Sequence, residues 1–221
     1  MKKGLTEVVF ILDKSGSMSG LENDTIGGFN SLIEKQKKEE GEAYISVVLF
    51  NDESHVIYDR VPVEKVEPMN DKQYYVGGCT ALLDAIGGAI HHISNVHKYA
   101  REEDRPEKTL FIITTDGMEN SSRNYSYDKV KKMVEKEKEK YGWEFLFLGA
   151  NIDAIDVAGR FGIKADRVAN YECDSVGTRH HFDSVSKMVI GARRAKNAKE
   201  MDIALDECCE EIEADYRKRH K

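Results

Sequence analysis

The sequence lacks any long apolar run. The run from Val8 to Leu12 has only five residues and ends at Asp13, whereas a membrane-spanning helix needs about 20 apolar residues. A basic start, Met1-Lys2-Lys3, precedes this run, but no small-residue cleavage site follows it. We therefore expect a protein without a membrane segment or a secretory signal, located in the cytoplasm.

Cysteine and histidine patterns typical of disulfide or zinc frameworks are also missing. None of the four cysteines forms a C-x-x-C pair, which agrees with a reducing compartment. The histidine pairs His91-His92 and His180-His181 are adjacent. The i, i+4 spacing that aims two imidazoles at one zinc ion is absent from these pairs. We expect these histidines to lie at the surface or the edge of the core.

A cluster of positive charge is a third absence. The formal net charge is −7, and the lysines of segment 129–140 alternate with glutamates, as on a solvated helix face. Nucleic acid is therefore not an expected partner. The chain also has no G-x-S-x-G elbow, no Walker A loop and no G-x-G-x-x-G fingerprint, so neither serine hydrolysis nor nucleotide binding is indicated.

Strand and helix signals alternate along the 221 residues. This order predicts a Rossmann-like α/β fold: a three-layer, doubly wound, mostly parallel sheet with helices on both faces. The short turn at residues 51–54 predicts that one strand beside it is an antiparallel edge strand. The predicted strands are 7–13, 43–50, 55–60, 109–115, 144–149 and 167–171. The predicted helices are 24–40, with Asp24 as N-cap, and 81–100, 127–141 and 153–161.

The remaining chain is expected to be helical. Apolar residues recur at helical spacing after residue 200. We divide the chain into a domain at 1–195 and an amphipathic helix at 196–221. This helix either packs on the domain or offers its apolar face to a partner, and we favour packing. The residues of its stripe are Met201, Leu205, Cys208, Ile212 and Tyr216.

Polar oxygen groups follow the first predicted strand at once. Asp13, Ser15 and Ser17 form a D-x-S-x-S loop directly after five apolar residues. Carboxylate and hydroxyl oxygens suit a hard divalent cation such as Mg²⁺. Thr80 precedes a predicted helix, and Asp116 ends a predicted strand. Because ligands collect at the carboxyl ends of strands in an open α/β sheet, we expect all five residues to share one site.

These three stretches resemble the metal-ion-dependent adhesion site of von Willebrand factor A domains. The resemblance covers residues 5–162 and implies a bacterial, cytoplasmic type of domain that binds Mg²⁺ or Mn²⁺. It implies that Ser15 and Ser17 bind the metal directly and that Thr80 does so directly or through water. Asp13 and Asp116 would act mostly through bound waters or the serines.

The function that the resemblance implies is recognition of another protein, without catalysis. A partner's Asp or Glu would fill the open metal position, and an AAA-type ATPase or a stress-response complex is a possible partner. Lys14 is expected near the mouth of the site, where it either assists an acidic ligand or points to water. Glu119 either lines the rim or is a solvated loop acid, and the second is favoured.

Two other functions remain open. A phosphoryl-transfer hydrolase of the haloacid dehalogenase type also starts with a strand that ends in Asp. That chemistry calls for a second Asp two residues later, where this chain has Ser15. The other alternative is a scaffold whose metal site is structural or vestigial and whose C-terminal helix is the working surface.

Overall fold

The computed structural model describes residues 1–220 and shows an α/β fold with six strands and six α-helices. The strands are β1 (Lys2–Asp13), β2 (Glu42–Phe50), β3 (Ser54–Pro62), β4 (Pro106–Thr115), β5 (Glu144–Gly149) and β6 (Val168–Asn170). The helices are α1 (Glu22–Gln36), α2 (Leu82–Tyr99), α3 (Tyr127–Tyr141), α4 (Ala154–Arg160), α5 (Ser175–Arg194) and α6 (Ala198–Arg219).

The strands form one sheet in the order β3-β2-β1-β4-β5-β6. All neighbouring pairs are parallel except β2 with β3, so the predicted antiparallel edge strand is confirmed as β3. After β1 the chain moves outward to β2 and β3, and then returns to the other side of β1 as β4. The carboxyl ends of β1 and β4 therefore form the topological switch point, where open α/β sheets bind ligands.

Alternating side chains of β1 enter two separate cores. Val8, Phe10 and Leu12 belong to the core beneath α1, α5 and α6, whereas Val9 and Ile11 belong to the core beneath α2, α3 and α4. This alternation is the period of two that a strand imposes. The sheet is therefore the middle of three layers, as the sequence predicts.

The C-terminal helix packs against the domain. Met201, Leu205, Cys208 and Ile212 are buried, and Arg167 forms ion pairs with Asp202 and Asp206 of α6. The apolar stripe is thus in the core, while the division of the chain at residue 195 stays a prediction. No helix within residues 1–220 has the length and apolarity to cross a membrane.

The predicted start of α1 was wrong. Residues Gly16–Met18 form a 3₁₀ turn, and α1 begins soon after it at Glu22, with Leu21 rather than Asp24 in the N-cap position. Asp24 instead lies in the first turn of α1 and accepts a 2.6 Å hydrogen bond from the Ser175 hydroxyl. The helix is therefore tied to α5 by a long-range contact that its local sequence does not reveal.

Candidate functional site

Asp13 ends β1 as a buried acid whose oxygen atoms all have hydrogen-bond donors. Its Oδ1 accepts the Ser15 backbone N–H at 2.7 Å, and its Oδ2 accepts the Thr115 hydroxyl at 2.6 Å. Its carbonyl oxygen accepts the Tyr74 hydroxyl at 2.6 Å. Burial raises the pKa of Asp13, although the hydrogen bonds from Ser15 and Thr115 oppose this rise. These contacts fix the carboxylate and order the loop that follows it.

The two loop serines lie beside Asp116 of the neighbouring strand end. Ser15 Oγ is 3.1 Å from Ser17 Oγ, and the Ser17 hydroxyl donates to Asp116 Oδ1 at 2.6 Å. Adjacent oxygen ligands of an octahedral Mg²⁺ lie about 2.9 Å apart, because each Mg–O bond measures about 2.0–2.1 Å. The serine pair therefore has the spacing of two ligands of one small hard cation.

Thr80 reaches the same place from the loop before α2. Gly117 shows this convergence, because an ideal Cβ added there would lie 3.2 Å from Thr80 Oγ1 and 3.5 Å from Ser17 Oγ. The two hydroxyls thus border one space that a side chain at residue 117 would fill. The structure brings together all five residues that the sequence singled out: Asp13, Ser15, Ser17, Thr80 and Asp116.

Backbone contacts join the threonine loop to the serine loop. The Gly77 N–H donates to the Lys14 carbonyl at 3.0 Å, and the Gly16 N–H donates to the Gly78 carbonyl at 3.1 Å. Gly78 has a φ of +81°, a left-handed conformation that glycine adopts without a Cβ penalty. Two backbone hydrogen bonds therefore hold these loops against each other.

The site contains two buried acids without a basic side chain paired to them. Within residues 1–220, Asp13 and Asp116 form no ion pair with a Lys, Arg or His. Burial raises the pKa of Asp116 as well. No group of three or more His, Cys, Asp or Glu side chains arranged to hold a metal occurs in this part of the chain. A divalent cation here would meet hydroxyl oxygens as well as carboxylate oxygens, since Ser17 lies beside both Ser15 and Asp116.

Four contributors to the site escaped sequence reasoning. Tyr74 and Thr115 bind Asp13, and Asn120 fixes Thr80 by accepting its N–H at 2.9 Å and donating to its carbonyl at 3.1 Å. Cys173 follows β6 and places its Sγ 3.6 Å from Asp116 Oδ2. Thr115 could have been suspected from its place directly before Asp116, whereas the sequence gives no signal for the other three.

One of the two predicted roles is wrong for each of Lys14 and Glu119. Lys14 does not point to water: its residue is 1% exposed, and Nζ lies 3.9 Å from the centre of the Tyr75 ring. The ring face attracts this ammonium group.

Glu119 is not a solvated loop acid but a structural anchor. Its carboxylate accepts the N–H groups of Leu83, Ser121 and Ser122 and the Ser122 hydroxyl. The Leu83 contact satisfies a free N–H in the first turn of α2, where negative charge is favourable. Glu119 therefore holds the loop after β4 against the helix that follows Thr80.

Comparison with solved structures identifies the same arrangement of strands and helices in other proteins. Proximal thread matrix protein 1 from the mussel byssus, solved with a zinc-occupied MIDAS motif, matches with a TM-score of 0.56 and 16% identity over 85% of this chain and 46% of its own. A von Willebrand factor type A protein from Catenulispora acidiphila matches with a TM-score of 0.56 and 14% identity over 84% of this chain and 42% of its own.

This protein has the fold of von Willebrand factor A domains. A mutant of the PilB minor pilin from Streptococcus sanguinis also matches, with a TM-score of 0.55 and 12% identity over 84% of this chain and 61% of its own. The chain thus spans between 42% and 61% of the length of these three neighbours. No protein-family model and no curated protein sequence matches it.

Proposed function

We propose that this protein is a divalent-metal-dependent protein-binding module without catalytic activity. Its site would hold Mg²⁺ or Mn²⁺ and recognise an Asp or Glu of a partner protein. One observation carries the proposal: three hydroxyl-bearing side chains and two buried acids meet at the switch point, and no cationic side chain there balances the acids. The zinc-occupied MIDAS motif of the mussel neighbour supports metal binding by this fold.

The oxygens that would bind the metal directly belong to neutral hydroxyl groups. This neutrality determines how much positive charge the bound ion keeps. Ser15, Ser17 and Thr80 would bind the ion through hydroxyl groups, which leave most of its positive charge available as a Lewis acid for an anionic ligand. Asp13 and Asp116 would balance that charge without binding the ion directly. Asp116 accepts a hydrogen bond from the Ser17 hydroxyl, and Asp13 accepts one from the Ser15 N–H. A carboxylate from a partner then completes the coordination of the ion.

The hydrolase alternative is weaker in the structure than in the sequence. A nucleophilic Asp13 would need a free carboxylate oxygen, but both oxygens accept hydrogen bonds and the residue is 2% exposed. Ser15 occupies the place of the second acid. The scaffold alternative loses its proposed surface, because four of the five stripe residues of α6 are buried.

The partner and the cellular setting follow from the proposal as expectations. An exposed acid on a cytoplasmic protein, such as an AAA-type ATPase or a member of a stress-response complex, would be the ligand. The protein's net charge of −7 disfavours non-specific attraction to acidic surfaces. The metal therefore has to provide the local attraction for the partner's carboxylate.

Peptide selection tests acid recognition while the partner protein is still unidentified. A random peptide library is panned on the immobilised protein in Mg²⁺, and bound peptides are eluted with EDTA. We expect the eluted peptides to share an Asp or Glu whose change to Asn or Gln abolishes binding. The variant Asp13→Ala should select none of them, because it loses the group that orders the serine loop.

A matched control separates the metal site from general acidity. Glu139→Ala removes an exposed acid near the end of α3, at the opposite end of the strands, and should select the same peptides as the wild type. Eluted peptides without any essential acid, or equal selection by Asp13→Ala, would contradict the proposed function.

A further inference from the structure

The candidate site contains a sulfur atom in addition to its five oxygen-bearing residues. Cys173 lies three residues after β6, at the same ends of the strands, and is partly buried. Its Sγ is 3.6 Å from Asp116 Oδ2, while Asp116 Oδ1 accepts the Ser17 hydroxyl. One carboxylate therefore links the hydroxyl ligands on one side to a thiol on the other.

The sulfur-to-oxygen distance is that of two ligands of one tetrahedral metal ion. With bonds of about 2.3 Å from zinc to sulfur and about 2.0–2.2 Å from zinc to oxygen, two ligands at the tetrahedral angle lie about 3.5–3.7 Å apart. The observed 3.6 Å falls within this range. A cation could thus bind both Asp116 and Cys173 without separating them.

The second observation is a buried polar group without a hydrogen-bond partner, two residues before Cys173. Tyr171 precedes Cys173 by two residues and is 2% exposed, and within residues 1–220 its hydroxyl has no hydrogen-bond partner. Burial raises its pKa, and Cys173 and Asp116 are the neighbouring groups that raise it most. A buried hydroxyl without a partner costs free energy unless a ligand or an ordered water satisfies it.

Oxygen and sulfur ligands select different metals. Hydroxyl and carboxylate oxygens favour Mg²⁺, whereas a thiolate favours softer ions such as Zn²⁺, Co²⁺ and Cd²⁺. The Cys173 thiol donates its proton in a hydrogen bond to Asp116 Oδ2. A thiophilic cation would displace that proton to solvent as the metal–sulfur bond forms.

We propose that Cys173 is an additional metal ligand, which gives this site a binding mode for thiophilic divalent cations of the zinc type. Asp116 and Cys173 supply the two charged ligands of this mode, and hydroxyl oxygens and water complete it. Mg²⁺ uses the hydroxyl ligands without the sulfur. This inference rests on the proposed metal site, and its experiment is designed so that the two can fail separately.

Cobalt reports sulfur ligation directly. Co²⁺ is added to metal-stripped, chemically reduced protein, and the near-ultraviolet absorption band of thiolate-to-cobalt charge transfer is recorded. We expect the band in the wild type and its loss in Cys173→Ser, which keeps the size of the side chain. Cys79→Ser removes an exposed thiol next to Thr80 and should leave the band unchanged.

Binding affinities supply a second readout. Cys173→Ser should weaken Zn²⁺ binding at least tenfold and leave Mg²⁺ binding within twofold of the wild type. Mg²⁺ binding without a cobalt–thiolate band, or a band that persists in Cys173→Ser, would overturn the role of Cys173 alone. No binding of either Mg²⁺ or Co²⁺ to the wild type would overturn the metal site and this inference with it.

Discussion

The buried acids at the two ends of the strands have different kinds of partner. Near the amino ends, Glu7 has a fully buried side chain, and each of its oxygens has a nitrogen partner. Arg60 Nε lies 2.6 Å from Oε1, and His97 Nε2 lies 2.6 Å from Oε2. At the carboxyl ends, Asp13 and Asp116 have only hydroxyl, thiol and backbone partners within the described residues. The first acid is balanced by the chain itself, whereas we propose that a bound cation balances the second pair.

The backbone adapts to the balanced acid. The pairing of β2 with β3 shifts between Ile45 and Val47, and Arg60 at this irregularity has a φ of +51°. Left-handed backbone is unfavourable for a residue with a long side chain. Because this irregularity accompanies the Arg60–Glu7 ion pair, we interpret the strain as part of the cost of neutralising Glu7.

Removal of Glu7 should have the largest effect on stability. Glu7→Gln leaves Arg60 and His97 without their carboxylate, and breaking a buried ion pair costs about 3 kcal/mol or more. We expect urea unfolding to show a loss of that size, with Mg²⁺ binding at the other end of the strands unchanged.

The control for Glu7 is an exposed ion pair at the same end. Glu42 lies 2.6 Å from Lys2 Nζ, with 61% of its side chain exposed, so Glu42→Gln should cost less than about 1 kcal/mol. Equal losses in the two variants would show that the Glu7 cluster is no more than a surface contact.

A smaller effect is expected from His181, which lies in α5 against the Tyr171 ring. Burial lowers its pKa from 6.5 to about 3, and neither ring nitrogen has a hydrogen-bond partner in the described chain. Below pH 6.5 the unfolded chain gains a proton at this residue that the folded chain does not accept. The free energy of unfolding should therefore be highest above pH 6.5 and should fall as the pH decreases towards 3.

The size of the His181 effect is measurable within mild acid. The loss amounts to about 1.4 kcal/mol per pH unit in this window, so about 2 kcal/mol separates pH 6.5 from pH 5. His181→Leu removes the titrating group and should flatten this part of the profile in urea unfolding. Parallel profiles for the two proteins would contradict the proposal that this histidine is buried in its neutral form.

Much of the fold was predictable because it depends on local periodicity. The bounds of α3 and β5 agree with the sequence prediction at residues 127–141 and 144–149. The proximity of the five predicted residues could be foreseen because each lies just after a strand or just before a helix. The start of α1 was not predictable, because the preceding 3₁₀ turn and the contact of Asp24 with α5 decide it.

The supporting residues of the site depend on contacts that no short pattern encodes. Tyr74 reaches Asp13 across 61 positions, Asn120 reaches Thr80 across 40, and Cys173 reaches Asp116 across 57. Each belongs to an irregular loop whose path is fixed by the packed sheet beneath it. Their contacts with the site can be recognised only from the three-dimensional arrangement of the strands.

The most direct test of the central claim is calorimetric titration of Mg²⁺ into the metal-stripped protein, with Asp13→Asn in parallel. This substitution keeps the shape of Asp13 and removes its charge. The account predicts saturable binding of one ion by the wild type and none by the variant, because the unbalanced acids attract the cation. Wild-type protein without saturable binding, or a variant that binds equally well, would contradict the claim that the acids at the carboxyl ends require an external cation.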